Sequence, residues 1–377
     1  MLLLWLAGCA HRAVDGTLVD LPEAELPSAA ADPAAVLAQG AESSDPSVRA
    51  RALSGAILAD PAPAGGQWGG RGVFDPDGWV AASAVAALAE RVGTESETRA
   101  LLRAMLAWPG GDPYARAQAG WLLRSDPESA ETLRETWRTA VSSWEVAPLA
   151  LPAAGVDPEA AAALVAAIST GELGLEPKFF SLLGDADAPG LADAAREGAA
   201  RVDDQAAVEW AAMRLDLGDG AAESLLRDSL GSPSDLVVLG VLDALVAVDG
   251  PLADGLIRHA RATGDDLVAW YAEILLAVRT GDGLDVLARA MADPDREVRE
   301  LAARHVRDLA SVVPGRRLDR LAGPIVRAGL ADRDAGVRAE AARSAGALGI
   351  HDPGLAGLLN DTSERVRVEA AAALTRG

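Results

Sequence analysis

Cysteine occurs once in this 377-residue chain, at Cys9, so neither a disulfide nor a thiolate metal cluster can form within it. Aromatic residues make up only 4%, although half of the chain is hydrophobic. That apolar half is mostly Ala, Leu and Val, which suit thin, closely approaching helices better than strands. The expected fold class is therefore all-α. Basic residues are short too: 34 against 56 acids gives a formal net charge of −22. The deficit is uneven, with +2 over residues 289–377 and −24 before them. Phosphate backbones would be repelled by the longer part, which disfavours nucleic acid and favours a basic partner. No apolar run is long enough to span a bilayer; residues 236–248 come nearest and carry Asp243.

Signals for chemistry are equally sparse. The sequence has no phosphate loop, no GxSxG and no HExxH. His259, His305 and His351 are each 46 apart, a spacing that does not fit a shared metal on a 30-residue repeat, so they are read as surface or boundary residues. No catalytic residue, metal site or cofactor is expected, and the chain is read as a non-enzyme.

What is present begins at the N-terminus. Met1 to Gly8 reads MLLLWLAG, and Leu6-Ala7-Gly8-Cys9 resembles the lipobox of bacterial lipoproteins. The resemblance implies cleavage before Cys9, lipidation of Cys9 and attachment to a membrane of the bacterial envelope, facing the periplasm. Acyl chains in pairs are what stable anchoring needs. Residues 1–8 are thus read as a signal segment, 9–28 as a tether and 29–377 as one repeat array.

The repeat is clearest near the C-terminus. Asp293-Pro-Asp-Arg-Glu-Val-Arg, Asp332-Arg-Asp-Ala-Gly-Val-Arg and Asp361-Thr-Ser-Glu-Arg-Val-Arg each precede an Ala-rich stretch, and residues 45–53 echo them. Each unit places a capping Asp or Ser before a helix, with an apolar stripe starting at the Val. Stepping back by 30 from Val298 lands on Val268, Val238 and Val208. Looser anchors are Val48, Val80, Ala115, Val146 and Lys178, with Val337 and Val366 downstream. About ten helix pairs follow, and since one pair cannot bury its own apolar face, the pairs must stack.

The Asp-x-x-Val-Arg-x-x-Ala-Ala pattern looks like HEAT repeats, including the short type of phycobilisome-lyase-like proteins. The resemblance implies a right-handed α-α superhelix. It also implies ladders linking neighbouring units through Asp295, Arg299, Asp334, Arg338 and Arg367. The HEAT-like deoxyhypusine hydroxylases hold iron through paired His-Glu dipeptides, of which this sequence has none. The functional expectation is a protein-binding scaffold or adaptor. A lyase-type or cofactor-handling enzyme and a structural envelope component stand as alternatives.

Two stretches are candidate partner surfaces. Residues 61–78, rich in Gly and Pro, read as a flexible insertion carrying Trp68, Arg71 and Phe74. The last helix carries apolar residues on several sides, so Val368 and Leu374 are expected to meet another protein or a second copy.

Overall fold

The computed structural model describes residues 31–170, 188–200, 204–246, 248, 250–313 and 315–375. Its helices come in pairs, and the two members of a pair are built differently. First helices are amphipathic. Gly315–Leu330, for instance, buries Ala322, Ile325, Val326 and Leu330 as one stripe. Second helices are buried on most sides: Ala335–Leu348 encloses Val337, Ala339, Glu340, Ala341, Ala342, Ser344 and Ala345. They form the inner layer, flanked by neighbours on both sides.

The inner helices relevant below are α1 (Pro46–Ala59), α2 (Gly78–Ala87), α3 (Asp266–Thr280), α4 (Arg296–His305), α5 (Ala335–Leu348) and α6 (Glu364–Thr375). Ten of the eleven sequence anchors lie within the first five residues of inner helices, and all but Val146 of those ten are buried. Lys178 lies outside the described residues. The chain is an all-α superhelix of stacked pairs, and no helix among the described residues is long and apolar enough to cross a membrane.

The array closes on itself. The last helix, α6, packs against α5 on one side and on the other against α1 and its partner helix Pro33–Gly40. One hydrophobic core runs through this seam, joining Val36, Leu37 and Leu53 to Val368, Ala371 and Ala372. The approach is close. A Cβ on Gly40 would stand 2.6 Å from Val368 Cγ2, and one on Gly55 would stand 2.9 Å from the Ala372 Cβ. The pair that the last unit needs as its neighbour is therefore the first pair of the same chain.

Charged rungs join successive units. Arg299 grips Asp332 with Nε at 2.7 Å and Nη2 at 3.2 Å, while its Nη1 donates to the carbonyls of Asp293 and Pro294. Arg338 repeats this on Asp361 at 2.7 and 3.0 Å, and Arg49 on Asp75 at 3.0 and 3.2 Å. The aspartates expected for the ladder do something else. Asp295 and Asp334 cap α4 and α5, accepting from Glu297 N, and from Gly336 N and Val337 N. For α5 the rung carboxylate is Asp332, two residues before the cap, where it faces the preceding unit. Among the described residues Arg367 donates to the carbonyls of Asp361 and Thr362 and has no rung carboxylate, because the matching position across the seam is Ser43.

This division of labour is testable. Asp332→Ala should cost about 2 kcal/mol, since it strands a nearly buried guanidinium. Asp334→Asn should cost no more than about 0.5 kcal/mol, since Asn caps as well as Asp. Urea melts of the two variants check this, and equal losses would contradict it.

Candidate functional site

Read in the register of the repeat, six of the eight positions three and six after Val298, Val337, Val366 and Val48 are polar, the exceptions being Leu301 and Ala372. The polar six are Arg304, Glu340, Arg343, Glu369, Arg51 and Ser54. These side chains meet. Glu340, with 1% of its side chain exposed, lies 3.2 Å from Arg343, 3.5 Å from Arg307 and 2.6 Å from Arg365. Arg343 reaches on to Glu369 at 2.5 Å, and Arg51 joins Glu369 from across the seam at 3.3 Å. Arg304 pairs with Glu300 at 3.5 Å on its own helix.

Five guanidiniums thus surround three carboxylates. Burial alone would push the Glu340 carboxyl up, yet Arg343, Arg307, Arg304 and Arg365 hold it well below the usual carboxylate range. Burial opposes Glu369 in the same way, and Arg343 and Arg51 bring it below its ordinary value. Burial would lower Arg343, but Glu340 and Glu369 raise it. Arg51 is the least compensated. Burial and then the charge of Arg343 push it down to about 10, against the partial restoring effect of Glu369. The cluster is locally cationic in an acidic chain, and Arg51, Arg304, Arg307 and Arg365 keep 17–30% of their side chains open to solvent.

Beside this cluster lies His305. It is buried rather than at the surface or boundary, with 6% exposed. Its Nδ1 lies 2.8 Å from Asp308 Oδ2, its ring is 5.3 Å from that of Tyr271, and its Nε2 has no hydrogen-bond partner among the described residues. Tyr271 in turn donates to Asp243. The described residues hold no group of three His, Cys, Asp or Glu placed to share a metal ion. The sequence reading missed the Arg–Glu cluster. Its signal was present as charges that interrupt the apolar pattern at a fixed register.

The candidate partner residues fall elsewhere. Residues 61–78 are not a flexible insertion, since they contain the helix Gly66–Val73, first member of its pair. Trp68 packs half-buried against the core, and Phe74 meets Trp108 edge-to-face at 5.3 Å. Arg71 is held by Glu42 at 2.7 Å and by the Ala41 carbonyl. Val368 is 1% exposed and covered at the seam, and Leu374 is half-buried against the same core, so neither is presented outward as expected. Cys9 lies outside the described residues.

No protein family and no curated relative matches the chain by sequence. Among solved structures it is similar to an engineered protein, at 21% identity and a TM-score of 0.30, covering 92% of this chain and 99% of that one. It is also similar to human deoxyhypusine hydroxylase in complex with glycerol, at 18% identity and a TM-score of 0.28, covering 91% and 95%. The expectation of a non-enzyme is thereby corrected, since the second of these proteins is itself an enzyme.

Proposed function

We propose that the chain is a protein-binding helical scaffold, tethered to a bacterial envelope membrane through Cys9, with the Arg–Glu cluster on its inner helices as the recognition surface. The observation that carries this reading is the surplus of part-exposed guanidiniums at Arg51, Arg304, Arg307 and Arg365. Guanidinium forks match carboxylates in geometry as well as charge. The fitting partner is an acidic protein segment, opposite in sign to the basic partner that the overall charge suggests. Tethering rests on the Leu6–Cys9 lipobox.

Crosslinked capture from membranes with the full chain tests both halves. Arg304→Ala together with Arg365→Ala should reduce partner recovery about tenfold, equivalent to about 1.4 kcal/mol, and added salt should weaken wild-type capture. Equal recovery by a double variant of unchanged helix content would remove the cluster from recognition. Separately, Cys9→Ser should release the protein into the soluble fraction and abolish acyl labelling. An unlabelled wild type that stays with the membrane would sink the anchor.

A further inference from the structure

The seam differs from the joints closed by Asp332, Asp361 and Asp75 in two ways, and both concern the first unit, residues 33–59. It lacks the charged rung, because Ser43 stands where Asp332, Asp361 and Asp75 complete other joints. What holds it is packing at Gly40 and Gly55, the Arg51–Glu369 pair and a 3.4 Å hydrogen bond from Ser43 Oγ to Glu364.

The second difference is the connection to the rest of the chain. After α1 the backbone passes through Asp60-Pro-Ala-Pro-Ala-Gly-Gly66, where three successive residues are left-handed: Ala64 at φ 54°, Gly65 at 71° and Gly66 at 55°. Ala64 has a Cβ and is strained there, at a cost of about 1 kcal/mol or more. The segment keeps this shape because Arg91 donates to the carbonyls of Ile57, Asp60 and Ala62, and Glu95 accepts from Ala64 N. Strained short hinges next to a separable element favour exchange of that element between copies. Fully extended, these seven residues span about 23 Å, enough to reach a neighbouring molecule.

We infer that residues 33–59 exchange between two copies of this chain, each first unit filling the partner's seam between α6 and the helix Gly66–Val73, with residues 60–66 as the hinge. Every contact of the first unit outside the hinge is remade in the pair, and the exchange sets the strain released at Ala64 against the hydrogen bonds of Arg91 and Glu95 to residues 60–64. Mass action then makes the monomer–dimer ratio depend on concentration.

The test uses the full chain with Cys9→Ser, Ser43→Cys and Glu364→Cys, refolded across a range of concentrations, separated by size and then oxidised. The expected result is a dimer fraction that grows with concentration and runs as a covalent dimer without reductant, while the monomer fraction runs as a monomer. Arg91→Ala should raise the dimer share severalfold. The inference is overturned if no dimer forms at any concentration. It is also overturned if the oxidised dimer separates into single chains, which would place the contact on another surface. A dimer share unmoved by Arg91→Ala would overturn the assignment of the hinge.

Discussion

Val368→Glu is expected to be among the most damaging single substitutions in the chain. Val368 is 1% exposed, and its Cγ2 lies against Gly40 so closely that even an added methyl there would collide. A carboxylate at this place would lose its hydration, and Glu364 and Glu369 share its helix. Stranding a buried charge costs about 3–5 kcal/mol. At about 2–4 °C per kcal/mol for a chain of this order of size, thermal melting should fall by about 10 °C. Leu374→Glu, at a half-buried position, should cost less. Circular dichroism melts with limited proteolysis of residues 33–59 provide the check. If the Val368 variant melts with the wild type, the last helix is an open end and the seam does not hold.

That expectation reverses the one drawn from sequence, where the same residue was to meet another protein or a second copy. The reason is physical. A 30-residue period and a 3.6-residue stripe are local signals, and they located ten inner helices between Val48 and Val366. Closure is the sum of small rotations between many pairs, and no single repeat contains it. The Ser43 substitution in the rung register and the small Gly40 and Gly55 facing Val368 and Ala372 were the available hints.

Glycine content misled in residues 61–78 for a related reason. Gly69 and Gly72 are not loop residues. A Cβ on Gly69 would fall 1.8 Å from the Ala64 carbonyl oxygen, and one on Gly72 would fall 2.7 Å from the Ala84 Cβ, so they let a helix lie close. The ladder was misassigned by two residues at Asp334 because Asp332-Arg-Asp334 offers two carboxylates in one turn, and the preceding unit has Ala269 where an arginine partner for α4 would stand. Only the direction of the side chain separates cap from rung. His305 looked like a surface residue because burial beside Tyr271 depends on a neighbour 34 positions away.

Glu340→Gln should produce the second large effect and show it most clearly through pH. Its carboxylate is common to Arg304, Arg307, Arg343 and Arg365, and removing its charge leaves four guanidiniums crowded on the inner helices. The loss near neutral pH should be about 3–5 kcal/mol, the range for breaking a buried ion pair from one side. The sign of the pH dependence follows from the folded values of Glu340 and Glu369, both held below those of an unfolded glutamate, near 4.3. In such a case the unfolded chain binds protons first. The stabilisation is complete above the unfolded value and drains away as pH falls through the folded one. Wild-type melting should therefore stay level from about pH 7 to about pH 5 and drop steeply below about pH 4. The Glu340→Gln variant should start lower and lose less over the same acid range, with Glu369 supplying the remaining slope. Parallel acid profiles for the two proteins would show that Glu340 carries no special share of the stability. A variant as stable as wild type at neutral pH would mean that the guanidiniums find solvent or Glu369 instead.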